Sequence, residues 1–264
     1  MMQKTIELAL KSLGGRFACI VIQLDKAAPR ELVMVNADMR FAAASLAKLP
    51  ILIEVTRQVE AGRLSWETRY RVSEEASISN TGVLADLLPD LQPTLHDLAH
   101  LMITISDNTA ANMLLNLVGM QAINVTMHQM GLTSTWLERR FLDFEARKAG
   151  RDNWTTAGDM ALLLSYLCTG MLPDHERLLS MLLSQNDRTM LPAYWGEEVP
   201  FAHKTGELPG ILHDAGILYL PDMISTPFVV IVMTAEMADG PLTRYALARV
   251  GETIYKSIRQ ATTL

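Results

Sequence analysis

The sequence predicts an α/β protein with an all-helical segment set into it. Three observations carry this. Strand-like runs occur at 17–24 and 31–36 and again at 199–204, 215–220 and 228–234, while helix-like periodicity fills the chain from about 41 to 190. Strands contributed by both ends make one sheet, with the helices packed against it. The 264 residues are 49% apolar and 20% charged, enough for a sizeable core and too apolar for disorder. The chain divides accordingly into an α/β part (1–40 and 191–264) and a helical part (41–190) of one unit.

Residues 3–13 place Ile6, Leu10 and Leu13 among polar neighbours and end at Gly14-Gly15, which reads as a short amphipathic helix. Phe17 to Leu24 and Glu31 to Asn36 form a strand pair whose turn, Asp25 to Arg30, contains Pro29. Helices follow over Ser45–Ala61 (closed by Gly62), Thr94–Ile103 (Thr94 as N-cap after Pro93), Asn108–Val118, Gln121–Gln129, Thr156–Cys168 and Glu176–Leu183. Three strands, Val199–Lys204, Ala215–Leu220 and Phe228–Thr234, precede a last helix over Leu242–Gln260.

Composition narrows the function classes. A net charge of −6 with no basic, aromatic-rich cluster argues against nucleic acid as partner. Cys19 and Cys168 are too few for a disulfide framework and read as buried thiols. No uncharged run has membrane-spanning length, and no basic stretch followed by an apolar one opens the chain. As written, a cytoplasmic protein is expected; one trimmed of an export signal would read the same and work outside the cytoplasm. His96 and His100 lie four apart with no third ligand in view, so packing or surface roles and no metal site are expected. The sixteen methionines read as core filler.

Three short motifs remain. Ser45-Leu46-Ala47-Lys48 opens an apolar helical run and puts a hydroxyl and an amine on one face, where a neutral amine can take the hydroxyl proton and the helix start favours negative charge on the oxygen. Alone, it reads first as a capped helix with a snorkelling lysine. Ser106-Asp107-Asn108 lies in the break between two helices, where it also suits an N-cap. Lys204-Thr205-Gly206 ends a strand-like run. Each is weak singly; their joint presence in this order and in these settings is specific.

On these motifs the chain resembles the class A β-lactamases and the penicillin-binding serine hydrolases related to them. The resemblance runs nearly end to end, through ITISDNTAANMLLNLVG, TTAGDMALLL and HKTGELPGILHDAGIL. It implies a mainly antiparallel five-stranded sheet flanked by helices, with an inserted all-helical subdomain. It implies a hydrolase acting through an acyl-enzyme on a β-lactam or related amide or ester, without cofactor or metal, as a monomer whose partner is a small molecule. By the same resemblance Ser45 is the nucleophile, Lys48 its base or a nearby positive charge, and Ser106 a proton relay to the leaving nitrogen. Asn108 orients Lys48 and a substrate amide, and Lys204 and Thr205 hold an anionic substrate group. Gly206 lets substrate lie along the strand. The N–H groups of Ser45 and Glu207 form an oxyanion hole, each donor worth about 3–4 kcal/mol of barrier.

Two departures stand out. The family clears its acyl-enzyme with a loop glutamate paired with an asparagine four residues on, and no Glu-x-x-x-Asn occurs in the corresponding stretch, Leu137 to Trp154. Glu145, or alternatively Asp143, is the residue left for that role, or else both are solvated charges paired with Arg139, Arg140, Arg147 or Lys148. A DD-peptidase or esterase relative, or a protein that acylates and stops, is the alternative function. The second departure is Glu207, where the family carries a small residue. Its carboxylate either repels a substrate carboxylate, shifting preference away from ordinary penicillins, or turns to solvent.

Overall fold

A computed structural model describes residues 2–25, 28–72, 82–88, 90–220 and 226–262. In order, the elements are α1 (Met2–Lys11), β1 (Arg16–Gln23), β2 (Arg30–Val35), β3 (Arg40–Ala42), α2 (Lys48–Glu60), α3 (Leu95–Thr104), α4 (Asn108–Val118) and α5 (Met120–Gln129). There follow α6 (Phe144–Lys148), β4 (Trp154–Thr156), α7 (Ala157–Cys168), α8 (His175–Leu183), β5 (Phe201–Leu208), β6 (Ile211–Leu218), β7 (Phe228–Ala235) and α9 (Gly240–Thr262). Five strands form an antiparallel sheet in the order β2-β1-β7-β6-β5, as expected of one sheet built from both ends. The turn expected between Asp25 and Arg30 includes residues 26 and 27, which lie outside the described residues.

Alternation along the strands sorts the sheet into two faces. Cys19 and Val21 of β1, with Val230 and Val232 of β7, pack beneath Ile6 and Leu10 of α1 and Leu247, Val250 and Ile254 of α9. Ala18 and Ile20, with Val229, Ile231 and Met233, face the helical segment and merge with its core of Leu49, Leu52, Leu98, Met102, Leu114 and Leu163. At about 1.5–3 kcal/mol for each large aliphatic side chain fully buried, these two layers are the main stabilising term. Among the described residues, no helix is long and apolar enough to cross a membrane.

Several elements differ from the sequence-based expectation, each for a physical reason. Ser45 is not in an α-helix: Ala44 to Ala47 form a 3-10 turn, entered through Ala44 at φ 48°, and the α-helix starts at Lys48. Pro50 then falls in the first turn, where its missing N–H costs nothing. β5 does not stop at Lys204 but continues through Thr205-Gly206-Glu207 to Leu208, because β6 begins at Ile211 and pairs with it across a tight turn at Pro209-Gly210. Within 41–190 a second, two-stranded sheet joins β3 to β4, which the loss of apolar alternation hides. The short α6 also lies there, started by the Asp143 carboxylate accepting from the Ala146 N–H. Thr94 caps α3 as expected, in a reciprocal capping box with Asp97.

Candidate active site

The 3-10 turn carrying Ser45 is held from two sides. The Ala43 N–H donates to Asn153 O at 2.7 Å, while β3–β4 pairing fixes the strand before it. From the sheet, β5 comes against the turn at Gly206: a Cβ there would lie 3.3 Å from Ser45 N and 3.4 Å from Ala43 O. Glycine is therefore the residue that lets the strand and the turn touch. Ser45 stays partly exposed while its neighbours Ala44, Leu46 and Ala47 are buried.

Lys48, one turn on, is fully buried and points at the Ser106–Asn108 loop. Its Nζ lies 3.2 Å from Ser45 Oγ and 2.9 Å from Ser106 Oγ, and it donates to Ser106 O at 2.6 Å and Asn108 Oδ1 at 2.7 Å. The loop is shaped for this. Ser106 has φ 60°, a strained conformation for a non-glycine residue. The buried Asp107 turns away, its Oδ1 accepting from Ala110 N to cap α4 and its Oδ2 accepting from Val83 N and Leu84 N. Strain at Ser106 is thus offset by three charge-assisted bonds next door. Lys204 reaches the same hydroxyl from β5, with Nζ 3.1 Å from Ser106 Oγ and 2.9 Å from Thr205 O.

Burial sets the charge state of both lysines. Lys48 is pushed well below the ordinary lysine value by desolvation, then by the nearby Lys204, against the pull of Asp107. Desolvation brings Lys204 to about 7, with Asp214 and Asp187 acting to raise it. A neutral Lys48 donates two N–H groups to Ser106 O and Asn108 Oδ1, leaving its lone pair for a hydroxyl proton. The arrangement can therefore accept a proton from Ser45, pass one through Ser106, and hold positive charge at Lys204 below about pH 7.

Ser45, Ser106, Asn108, Asp187, Thr205 and Glu207 are among the residues lining a cavity of about 560 Å³, with Lys48 and Lys204 buried behind them. The structure thus brings Ser45, Lys48, Ser106, Asn108, Lys204, Thr205, Gly206 and Glu207 together. It does not bring Glu145 or Asp143 to them. The Glu145 side chain is 83% exposed and paired with Lys148, and Asp143 caps α6. Arg139 and Arg147 pair instead with Asp152, Arg139 in a buried bridge of 2.7 Å that staples the ends of the 137–154 loop. His96 and His100 stack on each other, with Trp66 at the edge of His96, apart from this cavity.

Sequence reasoning passed over two contributors. Phe141 lies over Lys48, and its backbone is clasped by Asn112, whose side chain accepts from Phe141 N at 2.9 Å and donates to its carbonyl. An apolar residue in a loop gives no chemical signal. Arg244, on α9, donates to the Glu207 carboxylate and supplies the cation that Glu207 calls for. The half-buried, helical Arg244 has nothing in its neighbours to mark it.

The comparisons bear on the family and the fold. The sequence matches the beta-lactamase enzyme family over residues 2–258. A β-lactamase from Sphaerobacter thermophilus DSM 20745 is 29% identical, with 97% of this chain and 96% of that one covered and a TM-score of 0.85. PBP-A is 27% identical, with 98% and 96% covered and a TM-score of 0.86. A mutant of PBP-A, solved as an acyl-enzyme complex with penicillin G, is 28% identical at the same coverage and TM-score. An ancestral class A β-lactamase is 25% identical, with 97% and 100% covered and a TM-score of 0.87. With the family matched across nearly the whole chain and a serine held against a buried lysine, the chain belongs to the beta-lactamase enzyme family and is a serine β-lactamase-like hydrolase.

Proposed function

We propose that this hydrolase acts through an acyl-enzyme on Ser45, as class A β-lactamases are expected to, with a β-lactam or related amide as the small-molecule substrate. The observation that carries this is Lys48 Nζ, buried, pushed toward its neutral form, and within hydrogen-bond reach of Ser45 Oγ and Ser106 Oγ at once. In this reading Lys48 takes the Ser45 proton as Oγ attacks the carbonyl carbon. The C–N bond breaks, and Ser106 hands a proton to the departing nitrogen. Asn108 orients Lys48, Lys204 and Thr205 receive the substrate's anionic group, and the Ser45 and Glu207 N–H groups face the oxyanion beside Gly206.

A second reading concerns the step that follows, and Phe141 favours it. The ring beside Lys48 puts an apolar surface where a carboxylate would be needed to activate water, while Glu145 and Asp143 stand elsewhere. The acyl-enzyme then clears slowly, and the protein behaves as a penicillin-binding enzyme more than as a fast β-lactamase.

Intact mass recorded over time with a labelled penicillin, alongside turnover of a chromogenic cephalosporin, tests both. An adduct lost in Ser45→Ala supports the nucleophile; an adduct surviving that change removes Ser45. Persistence of the adduct supports slow deacylation, and rapid clearance with turnover overturns it.

A further inference from the structure

The mouth of the Ser45 cavity is acidic. Among the described residues, Asp187 and Glu207 are the carboxylates on its lining, and no Lys, Arg or His shares that lining. Arg244 stands behind them, its side chain 28% exposed, and binds both: one guanidinium nitrogen donates to Glu207 Oε2, the other to Asp187 Oδ2 at 3.4 Å and to Thr189 Oγ1 at 2.7 Å. One helix-borne cation thus ties β5 to the 185–189 wall of the cavity. It is shared between two anions, so the mouth keeps one surplus negative charge. Asp187 is held ionised: burial opposes this, but the Thr189 hydroxyl and N–H and the Arg244 charge outweigh it. The Glu207 side chain is 64% exposed, so its charge faces whatever enters. Lys204 lies deeper, buried against Ser106 and Thr205.

We infer that Glu207 and Arg244 form a charge filter at this mouth, which offsets part of the attraction of Lys204 for an anionic substrate group and so narrows the preference for anionic over neutral or ammonium-bearing acyl donors. Glu207 is the residue the substrate meets. Arg244 is a positioning residue: it fixes the Glu207 carboxylate at the rim and is itself neutralised, so it offers no free cation to a substrate carboxylate. The inference rests on the acyl-enzyme reading above and adds the charge class of its substrate.

Three probes with the same acyl group test it: a penicillin, its carboxamide and its 2-aminoethyl amide, which are anionic, neutral and cationic. Second-order acylation rates are read by intact mass and expressed relative to the carboxamide. Glu207→Gln should raise the relative rate of the anion and lower that of the cation, each by roughly fivefold, the size of an exposed ion pair. Arg244→Gln should move both ratios the opposite way, since it leaves two carboxylates without their cation. Ratios that stay within error in both variants, or move together, overturn the charge filter while leaving the acyl-enzyme intact. Absence of any Ser45 adduct from all three probes overturns the acyl-enzyme reading and the filter with it.

Discussion

The ring of Phe141 lies over the amine of Lys48, with Nζ 4.8 Å from the ring centroid. An aromatic face can attract an ammonium, but here Lys48 is fully buried and pushed toward its neutral form, so the ring acts chiefly by keeping water out. Its placement is firm, because Asn112 holds both the N–H and the carbonyl of Phe141. On the acyl-enzyme reading proposed above, this makes a site equipped to form the Ser45 ester and poorly equipped to hydrolyse it. Phe141→Glu puts a carboxylate beside Lys48 on an unchanged backbone. The lifetime of a penicillin adduct should fall by about a hundredfold or more, the low end of what a positioned general base contributes. Intact mass over time reads this directly. An unchanged lifetime in a folded variant would mean that water is excluded by more than this ring.

Lys204 gives the site a pH limit. Burial lowers it from 10.5 to about 7, so in the free enzyme its positive charge is present below about pH 7 and lost above. Attraction for an anionic substrate group goes with it. Acylation by a penicillin carboxylate, measured as a second-order rate, should fall by about tenfold in its Lys204-dependent part between pH 6 and pH 8. The neutral carboxamide should lack this descending limb. Its rate should rise or stay level as Lys48 loses its remaining protons. Identical profiles for the two probes would show that Lys204 does not meet the substrate's anion.

How much of this was legible in the sequence follows from distance along the chain. Ser45 with Lys48, Ser106 with Asn108, and Lys204 with Gly206 are contiguous units whose local setting marks them, and the fold brings those units together. Read from the sequence, α2 starts three residues early, at Ser45, although Pro50 fits a first turn and not a helix interior and so marks a start near Lys48. The extent of β5 was not legible, because Thr205, Gly206 and Glu207 carry no apolar alternation and are held in the strand by β6. Phe141 and Arg244 were invisible for a different reason. Their partners, Lys48 and Glu207, are distant in sequence, and each is an ordinary residue in its own segment.

Gly206 makes the close approach of β5 to the Ser45 turn testable. A methyl group there would sit 3.3 Å from both Ala44 Cβ and Ser45 N, so strand or turn must give by a few tenths of an ångström. That displacement lies at the proposed oxyanion donors, where small misplacements are costly. Gly206→Ala should fold with a loss of stability of about 1 kcal/mol, in the range of mild overpacking, while its acylation rate drops by tenfold or more. Denaturant unfolding and adduct formation, measured side by side, separate the two effects. Equal acylation rates in both proteins would place the oxyanion donors elsewhere.

His213 is expected to weaken the fold toward acid. It sits on β6 opposite Gly206, fully buried. Its Nδ1 accepts from the Thr234 N–H at 3.2 Å, which makes Nε2 the protonated nitrogen, and Nε2 donates to Ala42 O at 2.9 Å. The ring therefore joins β7 and β6 to β3, the strand that leads into Ser45. Burial lowers its value from 6.5 to about 4, although the bonds to Ala42 and Leu212 act to raise it. Above about pH 6.5 the ring is neutral in both folded and unfolded chains, and its contribution to stability is complete. Between 6.5 and about 4 the unfolded chain takes up a proton that the folded one refuses, so stability is lost as pH falls; below 4 both are protonated and the loss stops. The full loss is about 3 kcal/mol at 1.36 kcal/mol per pH unit. His213→Gln should cost about 1–3 kcal/mol at pH 7, through a buried N–H or carbonyl left unpaired, yet flatten the difference between pH 7 and pH 4.5. Urea unfolding of both proteins at the two pH values measures this. A variant that loses stability toward acid as steeply as the parent would assign the acid limit to another group.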